Sequence, residues 1–345
     1  MLGRISFFGQ QVNGYGYEFV MLVILFFLIS KYRFKPIINA YKKNKYIFWF
    51  FLFMLISFFF QINKYSLQEN LVSFLYQIRF IFYFIFFFYI KDLIPKKVIE
   101  FFIIITAVIS LGQYCLYQDL RNLIYAGWDP HLYRMFGTYL DTYVAVSIYG
   151  LIFFYLLFQK RTLLNKILLV CYLFFIMMTF SRLGYLAFLI TLFFVYVKNL
   201  KKFALIGGMA IIVLILIPKP WGEGVNLKRV FSINSRISDY QKALLVWQKS
   251  PLFGVGYNRI RYIKKDLISH SGASFHSSFM IILSTTGIIG FCLFLFSLTK
   301  MVGYNLYAPF FLVFVSLISL GDNSFLHPFV LFLMLTFLSF NPSHK

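Results

Sequence analysis

Hydrophobic residues occur along this chain in long continuous runs that short polar breaks separate. A helix that crosses a bilayer needs roughly 17–25 mostly apolar residues, and continuous rather than alternating runs indicate helices instead of barrel strands. The pattern predicts an all-α, polytopic membrane helix bundle with eleven transmembrane helices, or twelve, forming a single membrane domain over residues 1–345. The eleven runs lie at about 17–31, 46–62, 71–90, 98–117, 138–158, 166–180, 183–197, 203–217, 277–298, 303–320 and 328–340.

Composition excludes the soluble classes of protein. The chain is 61% hydrophobic and only 13% charged, whereas soluble domains are about half apolar and about a quarter charged. A net charge of +22 is also typical of proteins that bind nucleic acid. Such proteins cluster lysine and arginine on one exposed face. Here the basic residues lie mostly in the breaks between apolar runs, as the positive-inside rule describes. We therefore expect membrane lipids as partners, and no nucleic acid.

The breaks alternate in charge, which predicts an orientation. The breaks at 63–70 and 321–327 are nearly neutral, whereas the breaks at 31–45, 91–97, 160–166 and 198–202 are rich in lysine and arginine. Because basic loops stay in the cytoplasm, we expect the N-terminus outside and Lys345 inside.

The polar stretch 218–275 is predicted to be a long extracytoplasmic loop. Its ten basic residues against three acidic ones leave a net charge of +7, which either attracts anionic headgroups or handles an anionic ligand. Within it, Arg236–Lys249 predicts an amphipathic helix lying against the membrane surface or the bundle, ended by Pro251 and the turn at 254–256. Its apolar positions are Ile237, Tyr240, Leu244 and Trp247.

Arginine and histidine dominate the candidate chemistry on the outer side. No glycine-rich phosphate loop, His-Glu-x-x-His or Cys/His cluster occurs, so we expect no metal and no cofactor. Arg134, Arg182, Arg236 and His276 lie at the outer ends of different helices and could converge on one cavity. For Arg134, anchoring to lipid phosphate is an equal alternative, whereas Arg182 lies in a short turn where a buried charge is costly and normally functional. Arg79, inside a span, is either functional or structurally paired.

Four short motifs resemble the O-antigen ligase family, and together they cover most of residues 130–300. The stretch from His276 matches the family pattern of His, then Asn/Ser/Gln, nine residues, Gly, two residues, and Gly, Thr or Tyr, through Ser277, Gly287 and Gly290. The other three motifs are similar to the family's arginine helix with its Pro-Leu-x-Gly-x-Gly signature, its Ser-Arg-Gly turn and its Arg-x-x-Gly-Thr element. They lie at Arg236–Trp247 followed by Ser250–Asn258, at Ser181–Gly184, and at Arg134–Thr138.

The resemblance implies a C-type membrane glycosyltransferase of the bacterial inner (plasma) membrane. Such an enzyme moves a glycan from an undecaprenyl-pyrophosphate donor to an acceptor hydroxyl on the periplasmic side, by a metal-independent inverting reaction. The acceptor is lipid A-core for an O-antigen ligase of lipopolysaccharide biosynthesis, a lipid-linked glycan for an O-antigen polymerase, or a protein hydroxyl. Outside enzymes, a polysaccharide flippase or transporter remains the alternative.

The resemblance also assigns roles to residues. Arg182 and Arg236, with Arg134 as a third, would bind the pyrophosphate, because guanidinium groups pair bidentately with phosphate oxygens. His276 would be the general base for the acceptor hydroxyl, since a neutral imidazole titrates near working pH. Tyr240, Trp247 and Tyr257 could stack on sugar rings, or simply pack between helices.

Overall fold

Helices make up nearly all of the computed structural model, which describes residues 4–7, 10–13, 16–118, 133–139, 141–160, 162–216, 225, 227, 231–265 and 274–339. Each of the eleven predicted apolar runs coincides with a helix, so the all-α class is confirmed. The fourteen α-helices within the described residues are α1 (Gly16–Tyr32), α2 (Lys35–Lys43), α3 (Lys45–Phe60), α4 (Leu67–Ile90), α5 (Lys96–Leu116), α6 (Thr142–Leu157), α7 (Leu163–Met178), α8 (Arg182–Tyr196), α9 (Leu200–Leu216), α10 (Phe231–Gln248), α11 (Ile260–Lys264), α12 (Ser278–Val302), α13 (Ala308–Gly321) and α14 (Pro328–Ser339).

Several of these helices are long and apolar enough to cross a bilayer. Among the described residues, α4, α5 and α12 meet that requirement alone, and α2 with α3, bent by 103°, would make a fourth span. The shorter apolar helices α6, α7, α8, α13 and α14 have 12–16 residues, or about 18–24 Å at 1.5 Å per residue, against a hydrocarbon core of about 30 Å. The chain is a multi-pass membrane protein, and the count of eleven spans stays a prediction.

Three features were not predicted from the sequence. A hairpin pairs β1 (Arg4–Phe7) with antiparallel β2 (Gln10–Asn13), α2 occupies what we expected to be a basic loop, and the short helix α11 lies within the predicted polar loop. Three of the nine residues of α2 are lysines, so no apolar run marks it, but Pro36 favours a helix start at this position. Asn44 lies at the bend between α2 and α3, where its Nδ2 donates to the Ser297 carbonyl at 2.9 Å.

The chain divides into two compact units. The first unit contains residues 1–93 and 235–301, and the second contains residues 94–234 and 302–345. In the second unit, α6 is the central helix and nearly all its residues are buried. Gly150 makes this packing possible, because a Cβ there would lie 2.0 Å from the Phe314 ring of α13. In the first unit, aromatic side chains of α3 and α4 form much of the interior, including Phe50, Phe51, Phe84 and Phe87.

Candidate functional site

Helix α12, which follows His276, is broken at Gly287. The backbone of Gly287 has φ 66° and ψ −173°, a combination that is essentially restricted to glycine. At the break, backbone groups lose the hydrogen-bond partners that a continuous helix would give them. Three of these groups form hydrogen bonds with the segment Pro251–Gly256 instead. The N–H of Val255 donates to the Ser284 carbonyl at 3.0 Å, the N–H of Gly256 to Thr285 at 2.9 Å, and the N–H of Ile288 to Pro251 at 2.8 Å.

The glycines of two of the motifs noted in the sequence therefore contact each other. A Cβ on Gly254 would lie 2.3 Å from the carbonyl carbon of Thr285 and 2.5 Å from the nitrogen of Gly287, and a Cβ on Gly287 would lie 2.2 Å from the Leu252 oxygen. Both glycines also have positive φ. The Pro-Leu-x-Gly-x-Gly motif and the His276 motif thus form one structural element, a relationship that the sequence did not reveal.

Arg259 anchors this element to α3 and α4. The residue is completely buried; its guanidinium donates to the Phe58 carbonyl at 3.1 Å and to the side-chain oxygen of Asn70. It also lies over the rings of Phe58 and Tyr65, at 4.3 and 4.6 Å from their centres. Loss of hydration on burial lowers the pKa of Arg259 to about 10, so the group remains charged near neutral pH. Sequence reasoning counted Arg259 only as part of the basic loop.

His276 lies immediately before α12 and contacts Asp239 of α10. One oxygen of that carboxylate, Oδ2, accepts hydrogen bonds from the His276 backbone N–H at 3.3 Å and from ring atom Nδ1. The His276 side chain is 38% exposed and that of Asp239 is 11% exposed. Sequence reasoning counted Asp239 only among the three acidic residues of the polar loop, because 37 residues separate it from His276.

A helix at this position is confirmed as α10, although it begins at Phe231 rather than Arg236. Its buried side consists of Asp239, Ala243 and Val246. The apolar stripe that we predicted to face either the membrane or the bundle does not pack on the bundle, since Ile237 and Leu244 are 54% and 42% exposed. The side that packs inward carries the small side chain of Ala243 and the carboxylate of Asp239. Counting large apolar residues along the sequence does not identify this side of the helix.

The other predicted site residues of the first unit differ in their burial and contacts. Arg236 and Tyr240 are half-buried, and Arg236 precedes Asp239 by three residues, which places both on one side of α10. Trp247 donates its indole N–H to the Pro251 carbonyl at 3.0 Å, so it supports the turn. The ring of Tyr257 packs against Phe80 at 5.7 Å.

Arg79, for which a functional role and a structural pairing were both open, has a partner. Its Nε lies 2.5 Å from the Glu18 carboxylate of α1, and the Tyr83 hydroxyl also donates to Glu18. The ion pair joins α1 to α4, which supports the structural alternative.

Arg134 belongs to the second unit and is 5% exposed. Its Nη1 donates to the Thr142 hydroxyl at 3.4 Å. Gln113 of α5 holds the turn that follows, because its Oε1 accepts from the backbone N–H groups of Phe136 and Gly137 at 3.1 and 3.2 Å. This buried position differs from the exposed position of a lipid anchor.

Arg182, also in the second unit, is the first residue of α8. The Ser181 hydroxyl caps the helix by accepting from the Gly184 N–H at 3.2 Å, and Arg182 Nη1 donates to the Leu227 carbonyl at 3.1 Å. Gly184 lets α8 approach α6, since a Cβ there would lie 2.5 Å from Val146. A cation at the positive end of a helix is unfavourable unless an anion offsets it.

The predicted site residues are thus divided between the units. The first unit brings together His276 and the helix that carries Arg236, whereas the second holds Arg134 and Arg182. The expectation that all four converge on one cavity stays a prediction. Among the described residues there is no group of three or more His, Cys, Asp and Glu side chains that could hold a metal ion.

Residues 167–295 match the family model described as O-antigen ligase. The match includes Arg182, all of α10, the Pro251–Gly256 segment and the motif from His276 to Gly290. The resemblance noted in the sequence is confirmed over these residues, and Arg134 lies outside them. A comparison with curated proteins gave no match.

Proposed function

We propose that this chain is an O-antigen ligase-type glycosyltransferase that moves a glycan from an undecaprenyl-pyrophosphate donor to a hydroxyl of lipid A-core, on the outer face of the membrane. The family match implies lipid-linked glycan substrates. The observation that carries the proposal is the contact between the His276 motif and α10, because it joins the proposed base to the helix that bears the cation Arg236.

The reaction requires a base and stabilisation of the leaving group. His276 takes the proton of the acceptor hydroxyl at Nε2 while the acceptor oxygen bonds to the anomeric carbon. The bond from that carbon to the pyrophosphate oxygen breaks from the opposite side, which inverts the configuration, and its electron pair leaves with the pyrophosphate. Arg236, Arg182 and Arg134 stabilise the growing negative charge, and we propose that these cations replace a metal ion. Removing one such group typically slows a reaction by about 10²–10³-fold.

Tyr240 is the strongest candidate for stacking on a sugar. It is half-buried on α10, four residues after Arg236, the proposed pyrophosphate ligand, and Trp247 and Tyr257 make the contacts described above. We propose that Tyr240 contacts the donor's first sugar and that the other two aromatic residues hold the loop.

The transporter alternative would use a broken helix such as α12 to bind substrate with free backbone groups. Here the backbone of Pro251–Gly256 already bonds those groups. This arrangement favours a structural role for the break and supports the enzyme proposal over transport.

Gene replacement in the native host tests the function with its own donor and acceptor. The host strain would carry wild type, His276→Ala or a deletion, with the amount of protein in the membrane checked by immunoblot. A ligase predicts that both altered strains leave lipid A-core uncapped and accumulate long lipid-linked glycan on the periplasmic side. Single repeats on the acceptor would indicate a polymerase, and lipid-linked glycan retained on the cytoplasmic side would indicate a flippase. Unchanged surface polysaccharide in His276→Ala would contradict the proposal.

A further inference from the structure

We propose that Asp239 is a positioning residue for His276, holding the imidazole by Nδ1 so that Nε2 is left to accept the proton of the acceptor hydroxyl. The inference rests on the proposed function and adds a residue that neither the sequence motifs nor the family match assigns. It concerns the tautomer and orientation of the base, and not contact with the substrate.

The geometry fixes His276 at two points. Asp239 Oδ2 accepts from the backbone N–H of His276 at 3.3 Å and from its ring Nδ1. When a carboxylate accepts from Nδ1–H, the neutral ring has its lone pair on Nε2. The two bonds to one oxygen therefore set both the path of the backbone and the direction of the ring.

The position of Asp239 is itself fixed. It lies on the buried side of α10, and one turn later the Ala243 carbonyl oxygen lies 3.4 Å from the Ser284 hydroxyl oxygen of α12. Two contacts, Asp239 with His276 and Ala243 with Ser284, hold α10 along the first turns of α12. A carboxylate that is only 11% exposed is costly to bury without partners, so its location requires the groups that surround it.

Lys264 of α11 supplies the second of those groups. Its Nζ lies 3.9 Å from Asp239 Oδ1, donates to the Ser274 carbonyl at 2.9 Å and lies 5.0 Å from the centre of the Phe275 ring. Lys264 thus contacts the two residues that precede His276 and places positive charge beside Oδ1 of Asp239. The second carboxylate oxygen, Oδ2, accepts the hydrogen bonds from His276.

The arrangement has a catalytic consequence. When Nε2 takes the proton, the ring becomes an imidazolium, and the adjacent carboxylate stabilises this charge without accepting the proton itself. The acceptor oxygen forms its bond to the anomeric carbon, and the pyrophosphate leaves with the electron pair, as above. Arg236 on the same helix is the cation proposed above to stabilise the leaving group.

A double-mutant test separates positioning from a structural role. Purified full-length protein in nanodiscs would be assayed for transfer with lipid-linked glycan extracted from the native host, and for binding of undecaprenyl pyrophosphate. Asp239→Asn keeps the shape of the side chain, and we expect transfer to slow by about 10²–10⁴-fold, the range for loss of general-base function, with binding changed less than twofold. In a His276→Ala background, Asp239→Asn should cause no further loss.

Lys264→Met should slow transfer less than Asp239→Asn. Exposed Lys242→Met and Asp92→Asn are the matched controls, expected at wild-type rates.

The possible failures are distinguishable. If His276→Ala retains transfer, the proposed base is wrong and this inference fails with it. If His276→Ala abolishes transfer while Asp239→Asn retains it, only the inference is overturned. A loss in Asp239→Asn that multiplies with that of His276→Ala, or that is matched by lost binding, would show that Asp239 acts structurally.

Discussion

A single methyl group at Gly254 perturbs the contact on which the candidate site is built. In Gly254→Ala the new Cβ would lie 2.3 Å from the carbonyl carbon of Thr285 and 2.5 Å from the nitrogen of Gly287, against a preferred separation of about 3.5–4.0 Å between carbon atoms. The segment must therefore move by about 1 Å or more. Such a movement breaks the hydrogen bonds of Val255 and Gly256 to α12, which are 3.0 and 2.9 Å long.

The expected cost follows from two terms. Overpacking typically destabilises by about 1–3 kcal/mol, and a side chain at the positive φ of this position adds about 1–2 kcal/mol. We expect a loss of about 2–5 kcal/mol in local stability, which at 1.4 kcal/mol per tenfold accelerates opening of the contact more than tenfold.

Hydrogen–deuterium exchange on the protein in nanodiscs measures this opening directly. Peptides that contain Val255, Gly256 and Ile288 should exchange at least tenfold faster in Gly254→Ala, and glycan transfer should fall with them. Gly208→Ala in α9 is the matched control, since within the described part of the chain a Cβ there would meet no atom within 4 Å apart from its chain neighbours and the backbone of its own helix, and it should exchange as wild type does. Unchanged protection in Gly254→Ala would refute the contact between the two motifs.

Three further substitutions test contacts inside one or the other of the two units. Arg79→Leu should lower the free energy of unfolding by about 3 kcal/mol, because it removes the cation that pairs with the Glu18 carboxylate, and the double variant Arg79→Leu/Glu18→Leu should recover most of the loss in a thermal unfolding assay. Gly184→Ala should destabilise because its Cβ would lie 2.5 Å from Val146, and Val146→Ala should rescue it; absence of rescue would show that α8 does not approach α6 there. Arg259→Met should destabilise by about 2–4 kcal/mol, since it removes the charged donor to the side-chain oxygen of Asn70 and to the Phe58 carbonyl, and an unchanged melting temperature would contradict its anchoring role.

Local pattern was enough to predict most of the helices but not the contacts at the site. The apolar runs located eleven helices because hydrophobicity acts over neighbouring residues, and the motif around His276 located the end of the polar loop. The lysine-rich helix α2 was missed, since its stability depends on a bend and on packing that no run of residues shows.

The contacts that matter at the site join residues distant in sequence. Asp239 and His276 are 37 residues apart, and Glu18 and Arg79 are 61 apart, so no local spacing relates them. Arg259 could be recognised only as a charge, because its burial depends on the rings of Phe58 and Tyr65 folding over it.

The most direct test of the central claim is single-turnover transfer in proteoliposomes that contain only the purified chain and lipid-linked glycan from the native host. Release of undecaprenyl pyrophosphate would be followed as lipid A-core of the same host is added. The account predicts release that depends on the acceptor, couples one pyrophosphate to each glycan transferred, and falls by at least 10²-fold in His276→Ala. Release at the same rate in wild type and His276→Ala, or movement of the intact lipid-linked glycan across the bilayer without release, would contradict it.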